Sequence, residues 1–80
     1  MVALKDVLET IDEFGSASLG LIAWEFEVRE DALKRTWQAM IETDLIRPTE
    51  IDSDGETMYE LGPEGETRLA ELRALSVEPI

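Results

Sequence analysis

The sequence predicts one mainly α-helical domain with a single β-hairpin, in the order helix, helix, helix, hairpin, helix. Two observations predict this fold class: apolar residues recur at helical spacing in four segments, and an Asp-Gly pair separates two β-prone segments. A chain of 80 residues suffices for one domain with a marginal core, so we expect residues 1–80 to form that single domain.

The first two predicted helices are short and amphipathic. Helix 1 covers residues 3–14, and Gly15 follows at the position that commonly ends a helix. Helix 2 covers residues 19–26, and the hydroxyl of Ser18 is placed to cap its first turn. The apolar faces of the two helices are formed by Leu4, Val7, Leu8, Ile11 and Phe14, and by Leu19, Ile22, Ala23 and Phe26.

The third helix is predicted over residues 30–43, with Leu33, Trp37 and Met40 on its apolar side. A hairpin then occupies about residues 46–61, because two β-prone segments flank the turn signal at Asp54-Gly55. Proline is favoured in the first turn of a helix, so the last helix is expected over about residues 63–75.

Several function classes are excluded by composition. The chain has no cysteine and no histidine, so it lacks the usual nucleophile–base pairs and the usual transition-metal ligands. Asp52, Asp54 and Glu56 have part of the spacing of a calcium loop but not its remaining ligands. We therefore expect no enzyme activity, no cofactor and no metal. Neither a membrane span nor a signal peptide is evident, which favours a cytoplasmic protein.

The charge of the chain is strongly negative, with 19 acidic residues against seven basic ones and a formal net charge of −12. The acidic residues are spread through all the periodic segments, and only two of the basic residues are lysine. This dispersed acidic pattern resembles proteins of salt-loving archaea, in which molar salt screens charge repulsion to about 3 Å. The alternative is an acidic protein of a mesophilic organism that binds basic partners.

Two short helices joined by a brief turn and followed by a hairpin form the layout of a winged helix-turn-helix. Residues 28–46 resemble the turn and recognition helix of MarR- and PadR-type regulators, and residues 59–65 (Tyr-Glu-Leu-Gly-Pro-Glu-Gly) are similar to their Tyr-x-Leu-Thr-x-x-Gly segment. The chain also resembles small winged-helix regulators of halophilic archaea. The chain departs from the family pattern at Glu27 and Asp44, which replace glycine. Aspartate adopts the left-handed conformation comparatively easily, so we expect the backbone path to survive.

The resemblance implies that helix 3 enters the major groove of double-stranded DNA. Five candidate DNA-binding residues follow from it: Arg29, Lys34, Arg35, Gln38 and Arg47. Arg35 and Gln38 are expected at base edges, whereas Arg29 and Lys34 are expected at phosphates. A purely structural interpretation stays open, because Glu30–Lys34 and Asp31–Arg35 have the spacing of ordinary ion pairs within a helix.

The predicted wing argues against DNA contact by the hairpin itself. Between residues 50 and 60 it carries five acidic residues and no basic one. The favoured function is therefore a DNA-binding transcriptional regulator that uses helix 3 and is adapted to high salt. The alternative is a winged-helix module that binds another protein; the acidic wing and a patch around Trp24 and Ile41 favour it. Trp37, in contrast, is expected in the core.

A homodimer is expected from the last helix. Leu69, Leu72 and Leu75 form an apolar stripe that pairs either with a second subunit or with helix 1 of the same chain. The resemblance favours the dimer, because such regulators read two half-sites with two-fold symmetry.

The acidic surface leads to a prediction about folding stability. The melting temperature should rise as KCl is raised from low to molar concentration, because salt screens the repulsion between carboxylates. Thermal melts followed by circular dichroism across a KCl series measure this. A flat or falling melting temperature would contradict the assignment to a salt-adapted protein.

Overall fold

A computed structural model describes residues 2–75, and within them the chain forms four α-helices and two β-strands. In chain order these are α1 (Leu4–Phe14), α2 (Leu19–Glu25), α3 (Glu30–Glu42), β1 (Ile46–Ile51), β2 (Thr57–Leu61) and α4 (Pro63–Leu75). The element order confirms the predicted fold class, and each predicted boundary lies within one residue of the observed one. Met1 and residues 76–80 lie outside the described residues, so the expected domain is described over 2–75.

The first connection is made by the residues that the sequence singled out. Gly15 ends α1 with a φ of +83°, a conformation that glycine adopts without steric cost. Ser18 caps α2, since its hydroxyl oxygen accepts a hydrogen bond of 3.1 Å from the amide N–H of Leu21. These two residues fix the angle at which α2 leaves α1.

The core lies between the helices and the base of the hairpin. Most of the predicted apolar positions of the helices contribute to it, together with Ala17 before α2 and Ile46 at the start of β1. Phe14, expected on the apolar face of helix 1, is instead 47% exposed. Its buried members are Val7, Leu8, Ile11, Ala17, Ile22, Ala23, Leu33, Trp37, Met40, Ile46 and Leu69. Trp37 is 3% exposed, which confirms its expected place in the core.

Two non-glycine residues with positive φ turn the chain at the ends of α2 and α3. Glu27 has a φ of +55° and Asp44 a φ of +59°, at the two positions where the resembling family has glycine. In each case the following residue bonds back into the helix, Val28 N–H to the carbonyl of Ala23 and Leu45 N–H to that of Met40, both at 2.9 Å. The backbone path of the turn therefore survives both substitutions, as expected.

The hairpin is tied to the helices by a short third strand segment. β1 and β2 are antiparallel, with Ile46 opposite Leu61, and residue 17 pairs with β2 on its other side. Ala17 and Tyr59 exchange both backbone hydrogen bonds, at 2.9 and 2.8 Å. β1 is the outer strand, so one of its edges has no neighbouring strand. Proline lacks an amide N–H, and such a free edge tolerates Pro48 because no hydrogen bond to a further strand is required there.

The tip of the hairpin lies at the predicted Asp54-Gly55 turn signal and is organised by Asp52. One oxygen of its carboxylate, Oδ1, accepts hydrogen bonds from the amides of Asp54 and Glu56, both at 2.9 Å. Gly55 alone in this loop has a positive φ, of +84°. One of the five acidic residues of the wing thus has a structural role.

The start of α4 crosses the junction between α3 and β1 at very short range. A Cβ atom on Gly65 would overlap the carbonyl oxygen of Leu45, and one on Gly62 would overlap that of Asp44. The amide of Gly62 also donates a 2.9 Å hydrogen bond to the Leu45 carbonyl. Glycine is required at both positions because the two backbones meet there.

This crossing predicts that Gly65→Ala destabilises the fold. Alanine favours a helix interior over glycine by about 1 kcal/mol, yet the added methyl collides with a backbone carbonyl that cannot rotate away. We expect a net loss of about 1–3 kcal/mol or more in the free energy of unfolding, measured by denaturation in molar KCl. Glu64→Ala, at the exposed neighbouring position, is the matched control and should change stability little. A stabilised Gly65→Ala variant would contradict the crossing.

Candidate nucleic-acid interface

Helix α3 has one buried face and one exposed face, as its periodicity predicts. Leu33, Trp37 and Met40 point into the core. Lys34, Arg35 and Gln38 lie on the opposite side and are exposed. The three residues expected to reach DNA from the middle of this helix are therefore accessible together.

Five of the seven basic residues are held in ion pairs with nearby carboxylates. These pairs are Lys5–Glu9 at 3.9 Å, Arg29–Asp31 at 2.9 Å, Arg47–Glu60 at 2.9 Å, Arg68–Glu71 at 3.6 Å, and Arg73 with Glu9 at 3.5 Å and Asp12 at 3.3 Å. Within residues 2–75, the side chains left without an ion pair are Lys34 and Arg35. The uncompensated positive charge of this part of the chain is thus concentrated on the exposed face of α3.

The alternative to DNA binding was that Lys34 and Arg35 only form ion pairs within α3. Among the described residues, neither Glu30–Lys34 nor Asp31–Arg35 forms such a pair. Asp31 contacts Arg29 instead, at the first turn of the helix. Lys34 and Arg35 therefore keep their charges available, whereas the charge of Arg29 is partly compensated.

A cleft of about 280 Å³ runs along α3 between the start of α2 and the wing. Its apolar floor includes Trp37 and Tyr59, whose rings meet edge to face with centroids 5.5 Å apart. Lys34 and Gln38 line the α3 side of this cleft. The same two residues also border the outward surface that Arg35 occupies. The exposed face of α3 is thus continuous with a concave surface.

Arg47 lies apart from the other four predicted DNA-binding residues. It is opposite Glu60 in the sheet, pairs with that carboxylate, and borders a depression formed with Asp12 and Glu66. Side chains alternate between the two faces of a strand, and the preceding residue, Ile46, is buried in the core. Arg47 therefore faces away from the core, beside Asp12 of α1 and Glu66 of α4. The alternation of apolar Ile46 and charged Arg47 in the sequence already indicated that the two side chains lie on opposite faces of the strand.

Two acidic residues in the cleft were not singled out from the sequence as neighbours. Glu30 and Glu56 both line it, and their carboxylates meet beside Gly20 in α2. They are 26 positions apart in the chain, so no local pattern links them. Only the packing of the wing against the start of α2 brings them together.

The three leucines of the expected dimer surface have different environments. Leu69 is 2% exposed and belongs to the core of its own chain. Leu72 is half-buried against that core, and Leu75 is 83% exposed. A second subunit would therefore reach Leu75 and the outer side of Leu72, but not Leu69.

Trp24 is the most exposed aromatic residue described, at 75% of its surface. It lies on the outer side of α2, away from Ile22 and Ala23, which are buried. Ile41, its expected neighbour in an apolar patch, is half-buried and lines the cleft instead. The patch expected from the sequence thus reduces to Trp24 on α2.

Residues 2–75 contain no group of three or more aspartates or glutamates arranged to hold a metal ion. Over the same residues, no helix is both long and apolar enough to span a bilayer.

The sequence matches no family model and no curated protein, whereas several solved structures match the fold. A MepR-like protein, solved in complex with pseudoligands, has a TM-score of 0.75 at 20% identity, covering 89% of this chain and 51% of its own. A MarR family transcriptional regulator from Silicibacter pomeroyi has a TM-score of 0.73 at 21% identity, covering 86% and 47%. The transcriptional regulator BldR from Sulfolobus solfataricus has a TM-score of 0.73 at 22% identity, covering 96% and 63%.

The chain therefore spans about half the length of the first two of these proteins and somewhat more of the third. The second and third of them are described as transcriptional regulators. At these identities the likeness is one of fold, and it agrees with the resemblance that the turn, helix and wing segments predicted. The chain has the winged helix-turn-helix fold of MarR-family transcriptional regulators.

Proposed function

We propose that this protein is a DNA-binding transcriptional regulator that inserts α3 into the major groove. The observation that carries the proposal is the pair of unpaired cations, Lys34 and Arg35, on the exposed face of α3. In a chain of net charge −12, where the other basic residues are tied to carboxylates, this is the surface that best suits a phosphate backbone. The regulators with the same fold support the proposal.

The residue types on this face suggest individual roles. Arg35 has the forked donors that match the O6 and N7 atoms of guanine, and Gln38 suits the N6 and N7 atoms of adenine. Lys34 lies at the edge of the cleft, where its ammonium group would bind a phosphate without reading sequence. Arg29 would add a phosphate contact after release from Asp31.

Adaptation to high salt belongs to the same proposal. None of the described acidic residues is buried, so the negative charge lies at the surface, where salt screens it. In molar salt, counterion release gives little driving force, and the affinity must come from base contacts and groove fit. Action on chromosomal DNA would place the protein in the cytoplasm.

We further propose that the protein acts as a homodimer, in which the outer side of α4 pairs with a second copy. Leu75, exposed at the end of α4, supports this, since an isolated large apolar side chain gains from burial. A two-fold dimer would present two α3 helices to half-sites about one turn of DNA apart, roughly 34 Å.

A second candidate function is binding to another protein without DNA. The exposure of Trp24 favours it, because tryptophan is the residue type most enriched at the energetic centres of interfaces. The acidic wing would then meet a basic partner. This function is the one that remains if no DNA is bound at any salt concentration.

Substitutions on α3 test DNA binding. With a duplex selected from a random library in molar KCl, Arg35→Ala and Gln38→Ala should each cost about 1–3 kcal/mol and relax the sequence preference. Lys34→Ala should weaken all duplexes alike. Fluorescence anisotropy measures the affinities. Arg47→Ala is the control, because it removes a cation on the opposite side of the wing and should leave the preference unchanged. Equal affinities in all four variants and the wild type would refute the assigned interface.

Light scattering in molar KCl tests the dimer. The wild type should have the mass of two chains in the micromolar range, and Leu75→Glu should reduce it to one without loss of helical circular dichroism. Ala70→Glu adds the same charge at another exposed position of α4 and should leave the dimer intact. A single-chain mass for the wild type would defeat the proposal.

A further inference from the structure

Two carboxylates, those of Glu30 and Glu56, lie close to Gly20 at the edge of the cleft beside α3. An ideal Cβ atom on Gly20 would lie 3.0 Å from Oε1 of Glu56 and 3.4 Å from Oε1 of Glu30. Glu30 is the first residue of α3, and Glu56 follows the turn of the wing. Neither carboxylate forms an ion pair within residues 2–75. Two uncompensated negative charges therefore meet where the wing approaches α2.

The wing loop fixes the backbone position of Glu56. The amide of Glu56 donates to the carboxylate of Asp52, and the amide of Asp52 donates to the carbonyl of Glu56, both at 2.9 Å. Tyr59, three residues further on, is held by its two backbone bonds to residue 17. The backbone that carries Glu56 is thus anchored on both sides, at the edge of the cleft.

The two carboxylates share the cleft with a proposed DNA contact. Lys34 follows Glu30 by one helical turn and lines the same concave surface as Glu56. A phosphate bound to Lys34 would therefore lie at the same cleft as both carboxylates. At 0.1 M salt the screening length is about 10 Å and the repulsion is felt, whereas at 1 M it is about 3 Å and the repulsion is largely removed.

We propose that Glu30 and Glu56 form an acidic gate, which repels DNA from the α3 face at low salt and admits it in molar salt. The inference rests on the proposed function, since it concerns how the same DNA-binding face is regulated. It makes salt itself the effector. Each gate carboxylate opposes a phosphate locally, so its position in the cleft matters beyond its contribution to net charge.

Charge-neutral variants of nearly equal size separate position from net charge. Glu56→Gln and Glu30→Gln remove one gate charge each, and Glu50→Gln removes one from β1, where the side chain is exposed and lies outside the cleft. The probe is a fluorescent 24-base-pair duplex of mixed sequence, titrated by anisotropy from low KCl to 3 M KCl. The lowest concentration used is the one at which circular dichroism still matches the folded protein.

At the low-salt end, Glu56→Gln and Glu30→Gln should each tighten binding by about three- to tenfold, and at 3 M KCl by less than about twofold. Glu50→Gln should change it by less than about twofold throughout, since its charge lies farther from the duplex. Equal tightening by Glu50→Gln and the gate variants overturns the gate but leaves DNA binding standing. The wild type and the Glu30→Gln, Glu56→Gln double variant could also both fail to bind at every salt concentration. That result overturns the gate and the proposed function together.

Discussion

The close crossing of α4 over the α3–β1 junction fixes how the hairpin and the last helix pack on the other three helices. Gly65 and Gly62 lie directly on the carbonyls of Leu45 and Asp44, and no side chain fits between the two backbones. This contact closes the hairpin, sets the direction of α4, and places Leu69 in the core. A chain this short has little apolar surface to spare, so a displaced α4 would remove a large share of it.

The same arrangement determines the shape of the proposed DNA-binding surface. Since the hairpin is held at its base, β2 can pair with Ala17 and bring Tyr59 against the ring of Trp37. These contacts join the wing to α2 and α3 and leave the cleft between them. The exposed face of α3 is thus presented on a rigid frame, which suits a helix that reads a groove.

The exposed face of α3 differs in charge from the rest of the described surface. Carboxylates neutralise the basic residues elsewhere among the described residues, whereas Lys34 and Arg35 remain without an acidic partner. An overall negative field would slow the approach of DNA, and the proposed gate residues, Glu30 and Glu56, would strengthen that field beside the exposed face of α3. High salt weakens the field over its whole range, while short-range base contacts persist. The proposed function and the proposed salt response therefore follow from one charge pattern.

The helices, the hairpin and the exposed face of α3 could be predicted from local patterns, because helical periodicity, Ser18, Gly15 and Pro63 act through neighbouring residues. It also placed Trp37 in the core. The turn signal at Asp54-Gly55 marked the tip of the hairpin correctly, and the structure adds the hydrogen bonds by which the Asp52 carboxylate organises that loop. Contacts between distant segments determined the other features. These are the cations that have no ion pair, the carboxylates that share the cleft, and the leucines that remain exposed. Three-dimensional packing was needed to establish these features, because ion pairs and burial are set by distances in space that spacing along the chain does not fix.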